Sequence, residues 1–477
     1  MSNVKKISAL FVVGSMLTAF LSGCVSNNNS DDGPTGPIEL VYYKLFDDED
    51  VFRPLIQQYQ SQNPGVKITY RKFTDPIEYE ELLINELAEG EGPDIFSVPN
   101  HWLLPNAKKV SPAPLETVDP ATFEATFVSV AYDDLVLRDP RDSFDKVFGI
   151  PMTVDTLALY YNKSHFEDKI PSRGRPASTW DELKEDVFTL TKKDNSFERF
   201  EVAGIAMGRA DNILRATDIL YMLMVQYGAE FYNENISEAQ FTKQNVTLPG
   251  GESVNPVSEA LKTYTDFALP SNKHYSWNQY LANARSATKE IETFAEGKVS
   301  MIFGYSYLYE DLLNVVQDLK DRGEQTIDIE DIRISTVPQV VNPDTSTEKR
   351  DAYANYYVET VSRTSEYPEQ AWDFLIFLAS KENLEYYNEK TKKPTSRRDM
   401  IEDQMQDPVY GVYAQQIGFA ESLKIIDEVK FDSIFTEAID SVLATVKISD
   451  VAKLAEEKIN AMLPDEGFIP PPPIIEE

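Results

Sequence analysis

Apolar and aromatic residues fill Ile38 to Phe46, and Phe52, Leu55, Ile56 and Tyr59 then recur at helical spacing, so the pattern predicts a strand followed by a helix. Val66, Ile68 and Tyr70 alternate with polar residues and predict a second strand. A helix is expected from about Glu78 to Ala88, with Leu82, Leu83 and Leu87 on one side. Gly92-Pro93 ends it, and Asp94 to Val98 reads as a third strand. Strands alternating with helices imply an α/β layer with a mostly parallel sheet. Further on, Thr179-Trp180-Asp181-Glu182 is a capping box ahead of Leu183, Val187 and Leu190. A helix is expected to start at Asp211 and run through Ile213, Thr217, Leu220 and Met224, and Ser365 with Pro368 opens another bearing Ala371, Phe374, Leu375 and Leu378. The second half is thus helix-rich, and no internal repeat is visible.

The ends have a different character. Lys5 and Lys6 precede an uncharged apolar run, residues 7 to 21, which reads as an export signal and is shorter than the about 20 apolar residues needed to span a bilayer. Leu21-Ser22-Gly23-Cys24 resembles the lipobox of bacterial lipoproteins, which implies removal of residues 1–23 and lipid on Cys24, the only cysteine. The competing reading is a cysteine buried behind an apolar stretch, but the polar, turn-rich Asn27 to Gly36 offers nothing to bury it. More than one acyl chain gives stable anchoring. Residues 24–36 read as a flexible tether, and 464–477, with Pro470 to Pro473, as a stiff polyproline tail.

Charge narrows the function. The chain carries 45 Lys plus Arg against 79 Asp plus Glu, a formal net charge of −34. Nucleic acid is excluded as a partner, because its binding rests on clustered cations neutralising phosphates. With 42% hydrophobic residues, 25 Tyr and 25 Phe, the chain can bury substantial cores and is not a disordered acidic one.

The segments, in order, resemble the extracellular solute-binding proteins of the sugar-binding, maltose-binding-protein-like class that serve ATP-driven (ABC) importers. The residues carrying the resemblance are IELVYYKLFDDEDVFRPLIQQYQSQNPGVKITY, YEELLINELAEGEGPDIFSVP, GIPMTVDTLALYYNKSHFE, STWDELKEDVFTLTK, FAEGKVSMIFG and YPEQAWDFLIFLASKENLEYY. The resemblance implies an α/β, two-lobed periplasmic-binding-protein-like fold with hinge crossings and a ligand cleft between the lobes. Mapped onto this chain, it implies residues 37–153 plus 297–355 as lobe 1 and 154–296 plus 356–463 as lobe 2. It further implies a monomer that captures a solute, delivers it to ABC permease subunits, uses no cofactor and catalyses nothing.

A sugar site combines aromatic platforms for ring faces with carboxylates, amides and arginine for hydroxyls. Candidates on predicted loops are Lys44 and Phe46 after the first strand, Asn100, His101 and Trp102 after the third, and Asp155 in the expected crossing. Arg209 and Asp211 precede a helix start, Trp277 stands in a polar stretch, Tyr305 and Tyr307 follow the strand-like MIFG, and Tyr356 sits at another expected crossing. Each also has a plain reading: the tryptophans and tyrosines as packing, Asp155 as a turn residue, Asp211 as a helix cap.

Other classes leave weaker traces. Gly304-Tyr305-Ser306-Tyr307-Leu308 begins like a nucleophile elbow but lacks the last glycine, and no histidine follows it. A glycoside hydrolase needs two carboxylates at a set distance, a condition that 79 acids satisfy by chance. His101, His165 and His274 are too dispersed for a zinc cluster. A peptide or polyamine as the captured solute stays open beside a sugar.

Overall fold

The computed structural model describes residues 37–194, 199–248, 251–341 and 350–472. The export signal, Cys24, the tether up to Gly36 and the last proline of the tail, Pro473, lie outside the described residues. The chain opens as its periodicity predicts, with β1 (Ile38–Leu45), α1 (Glu49–Gln62), β2 (Val66–Phe73), α2 (Pro76–Glu89) and β3 (Ile95–Pro99). Local chemistry sets α2: the Asp75 carboxylate accepts from the amides of Ile77 and Glu78, Pro76 occupies the first turn, and Gly90 ends the helix at φ 78°. Later come β4 (Ala158–Asn162), α3 (Trp180–Leu190), α4 (Ala216–Gln226), β5 (Met301–Gly304), α5 (Leu308–Asp321), β6 (Ile332–Ser335), β7 (Tyr357–Ser362), α6 (Pro368–Leu378), α7 (Lys381–Thr391) and α8 (Glu428–Leu443).

Two hydrophobic cores result. In the first, β1 lies between β2 and β3, parallel to both, and β7 joins β3 antiparallel. Leu40, Tyr42, Phe52, Phe96, Trp372 and Phe374 fill the space between this sheet and its helices. In the second, β5 and β6 flank β4, both antiparallel to it, and Tyr160, Trp180, Leu220, Trp277 and Phe435 are packed around them.

The cores divide the chain at other places than the resemblance implied. Met301 to Phe303 and Ile332, expected in lobe 1, belong to the second core, because the edges of β4 are what satisfy the backbone of β5 and β6. Conversely α6 and α7, expected in lobe 2, pack on the first: Trp372 Nε1 donates to Ser111 O at 3.0 Å, and Tyr387 Oη to Asp47 Oδ2 at 2.7 Å. The chain crosses at residues 154–157, at 353–354 and again between 400 and 423. These crossings run side by side. Leu157 N donates to Tyr353 O (3.0 Å), Asn355 N to Asp155 O (3.2 Å) and Ala354 N to Glu421 O (2.8 Å), while Ala352–Tyr353 pairs parallel with Ala420–Glu421. A pair of two-residue strands with a third crossing segment bonded alongside, joining two packed bodies, is a hinge: few dihedrals absorb rotation while each core stays rigid.

Two local expectations change. The helix expected from Asp211 begins at Ala216, since the Leu214 amide is drawn onto Glu290 and residues 211–215 form turns. The expected stiff polyproline tail is pinned to the fold where it is described. Phe468 and Ile469 amides donate to Asn235 O, Asn235 Nδ2 donates to Glu466 O, and Arg138 Nη1 donates to Pro470 O at 3.1 Å. The segment 466–470 therefore reaches from Asn235, beside the second core, to Arg138, beside the first.

A candidate solute site between two cores

The ends of β1 and β3 and the start of β7 meet the N-terminal ends of α4 and α8 and the loop after β5. Phe46 follows β1 with φ 70°, a left-handed conformation that costs a bulky residue energy and leaves its ring 44% exposed. That ring meets Tyr357 edge-on at 5.5 Å. From the second core, Tyr305 and Tyr307 stack at 6.0 Å and 24°, and the Arg215 guanidinium lies 5.5 and 5.6 Å from the two ring centres. Arg215 also donates to Tyr307 Oη and stands 3.6 Å from Asp218 Oδ2. The Tyr357 hydroxyl is pushed up by burial and next by Glu428, against Arg215, so the two sides share one electrostatic environment. At the groove a contact joins the two sides directly: His101 Nε2 is 3.6 Å from Glu428 Oε2.

Asp155, at the first crossing, holds the tyrosine loop. Its carboxylate accepts from Ser306 Oγ (2.6 Å) and from the Ser306 amide, and burial pushes it up to about 6 despite those bonds. Tyr160 Oη donates to Tyr305 O at 2.9 Å from below. Gly304 makes the turn compact, since a Cβ there would press into the Leu308 side chain. Leu214, Arg215, Tyr305, Tyr307 and Asp311 line a cavity of about 300 Å³. A larger recess, about 580 Å³, opens between α7 and residues 400–410, and none of the site aromatics lines it.

Of the sequence candidates, the structure gathers Phe46, His101, Asp155, Tyr305 and Tyr307 around this groove. The others it places elsewhere. Lys44 is buried in a core ion pair with Glu359, with Asp47 at 3.5 Å; burial opposes its charge, but the two carboxylates outweigh it and hold its pKa above the ordinary value. Trp277 is fully buried in the second core, donating from Nε1 to Asn212 Oδ1 at 2.9 Å. Trp102 is buried against Phe96. Asn100 and Tyr356 both donate to Asp134, which also takes Ser422 and Lys424, so they brace the hinge. Arg209 and Asp211 form a bidentate pair with each other, both bonds 2.8 Å.

Sequence reasoning missed Arg215, Asp218, Tyr357, Glu428 and Asp432. Asp218 stands in the first turn of α4, and Glu428 and Asp432 are four apart on α8, where acids at helix starts pass as ordinary dipole partners. Burial pushes Asp218 and Glu428 each up to about 7, Asp218 against the pull of Arg215 and Glu428 with further push from Asp432. Burial also lowers His101 to about 4, so at neutral pH it faces Glu428 uncharged.

Two α/β bodies, a hinge of three crossing segments and an aromatic, carboxylate-lined groove between them define a two-lobed binding protein. The model of the bacterial extracellular solute-binding protein family matches residues 46–385, and the chain belongs to that family. A Brucella abortus (strain 2308) protein named as a binding protein is 23% identical over 332 residues, 69% of each chain. Among solved structures, the cyclic alpha-maltosyl-1,6-maltose binding protein of Arthrobacter globiformis superposes with TM-score 0.68 at 17% identity, covering 89% of this chain and 99% of its own. A cyclo/maltodextrin-binding protein complexed with maltotetraose gives 0.67 at 18%, covering 89% and 98%. Among the described residues no helix is long and apolar enough to cross a membrane.

Proposed function

We propose that the protein, held to the membrane by lipid on Cys24, captures a saccharide in the groove between its lobes, closes on it and passes it unaltered to an ABC permease. The observation that carries this reading is that each core brings an exposed aromatic ring to one shared set of charges: Tyr307, stacked over the buried Tyr305, from one, and Phe46, edge-on to Tyr357, from the other, with Tyr357 under the influence of Glu428, Arg215 and Tyr307. Sugar rings present C–H faces to such platforms and hydroxyls to the surrounding carboxylates and arginine. A ligand touching both lobes binds the closed form better, and that difference in affinity is what drives closure. The names of the Arthrobacter protein and the maltodextrin-binding protein, both saccharide binders, support the same class of ligand.

Calorimetric titration with neutral and amino oligosaccharides, with small-angle scattering in parallel, tests the reading. Saturable binding with a fall in radius of gyration is expected. Absence of binding across the panel, or cleaved product in the cell, overturns it. For the anchor, Cys24→Ala abolishes incorporation of labelled palmitate and leaves the protein in the soluble fraction; persistent membrane association would refute lipid attachment there.

A further inference from the structure

The exposed ring of Phe46 rides on a strained turn. The chain leaves β1 at Leu45, and the Asp47 amide donates back to Leu45 O at 2.9 Å, closing a three-residue turn around Phe46 at φ 70°. This is the γ-turn of positive φ, rare because a side chain at its centre crowds the backbone. Glycine would adopt it freely, yet the chain places a phenylalanine there and leaves the ring open beside Tyr357. Such a conformation persists only where its surroundings over-determine it.

The turn has a fixed start, since Phe46 N extends the ladder to Phe73 O at 2.8 Å. Its end is fixed through Asp47, which is buried. The Asp47 carbonyl accepts from Tyr70 Oη at 2.8 Å, and the carboxylate accepts from Tyr387 Oη at 2.7 Å and from Lys393 Nζ, with Lys44 Nζ 3.5 Å away. The donors are themselves held: Tyr70 stacks on Phe52 at 5.0 Å and 20°, Tyr387 of α7 meets the same ring at 5.8 Å, and Lys44 is paired with Glu359. Burial opposes the Asp47 charge, but Lys393 and then Lys44 outweigh it and keep the carboxyl below its ordinary pKa. Side chains from β1, β2, α7 and the segment after α7 thus converge on the residue that follows Phe46. Without that grip nothing keeps φ positive, and a backbone relaxed to negative φ re-aims the Cα–Cβ bond and the ring with it. Resting on the saccharide reading above, we propose that Asp47 is a positioning residue for solute capture, locking the strained turn that holds the Phe46 ring out as the first body's sugar platform. The ring is then ordered before the solute arrives, so binding does not have to order it.

The strain is read on the full chain without any ligand. Phe46→Gly and Phe46→Ala both lack the ring, so the difference between them in urea unfolding reports the backbone alone. The unfolding equilibrium constant of Phe46→Gly is expected to be roughly fivefold lower than that of Phe46→Ala, and the gap closes or reverses when Asp47→Ala is added. Should Asp47→Ala fail to fold, Tyr70→Phe deletes only the hydroxyl on the Asp47 carbonyl, keeps the stacked ring, and narrows the same gap by roughly half. Calorimetry with maltotetraose reads the platform: Phe46→Ala and Asp47→Ala each weaken binding roughly fivefold, and the double variant no further than either alone. A Phe46→Gly variant no more stable than Phe46→Ala, a gap that Asp47→Ala or Tyr70→Phe leaves unchanged, or affinity losses that multiply in the double variant would each overturn the inference. If maltotetraose does not bind the parent chain, the saccharide reading loses this ligand, while the order of glycine and alanine still decides whether Asp47 locks the turn.

Discussion

Trp277 and Tyr307 are both aromatic residues in the second half of the chain, and the fold uses them in opposite ways. Trp277 is fully buried, its single polar atom satisfied by Asn212. Tyr307 is 45% exposed, its ring stacked on Tyr305 and its hydroxyl held by Arg215. An indole with one donor can be enclosed once that donor is paired. At the strand end, Asp155 grips Ser306 between the stacked tyrosines; Tyr305 stays buried beneath, and the Tyr307 ring is the one open to whatever enters the groove. Aromatic content thus says little about binding until it is known which rings are covered.

The comparison breaks most sharply at Trp277. Trp277→Ala should lower unfolding free energy by about 3–5 kcal/mol, as other emptied aromatic core sites do, measured by urea denaturation. A stable variant with lost ligand affinity would reverse the roles assigned to the two residues. Tyr307→Ala should instead weaken saccharide binding by about 1–2 kcal/mol, with a melting temperature close to wild type. Calorimetry and thermal melts on the same sample separate the two outcomes.

Titration sharpens the picture of the groove. A carboxyl whose folded pKa lies above its unfolded one holds protons more tightly in the native state, so its contribution to stability falls as pH climbs between the two values. Asp218, Glu428 and Glu290, each pushed up to about 7 by burial first, make stability fall between about pH 4 and 7. His101, lowered to about 4, works the other way between about 4 and 6.5, and one histidine offsets only part of three acids. Asp218→Asn should therefore raise the melting temperature more at about pH 8 than at about pH 5; an equal change at both would remove the electrostatic account. The smallest effect is expected at the C-terminal segment, where Arg138→Ala removes one bond to Pro470 and costs about 0.5–1.5 kcal/mol, read as faster proteolysis of residues 464–472.

Much of the architecture was legible in the chain. Alternating apolar runs located the first three strands and two helices, and the capping residue Thr179 marked the start of α3 as its hydroxyl chemistry requires. Membership among the solute-binding proteins followed from segment order. The lobe boundaries were not legible, because β5 reads as the same apolar tetrad whether it pairs within one body or returns to the other. Nor were Lys44, Asn100 and Tyr356, polar groups at the ends of strands that are consumed by Glu359 and Asp134.

By itself the sequence determined the local elements, the acidity of the surface and the supply of aromatic and carboxylate groups, since these depend on side-chain chemistry and periodicity alone. Only the tertiary structure decided which of them face the groove. Exposure and charge pairing arise from contacts between residues hundreds of positions apart, such as His101 with Glu428, and no local pattern records the partner.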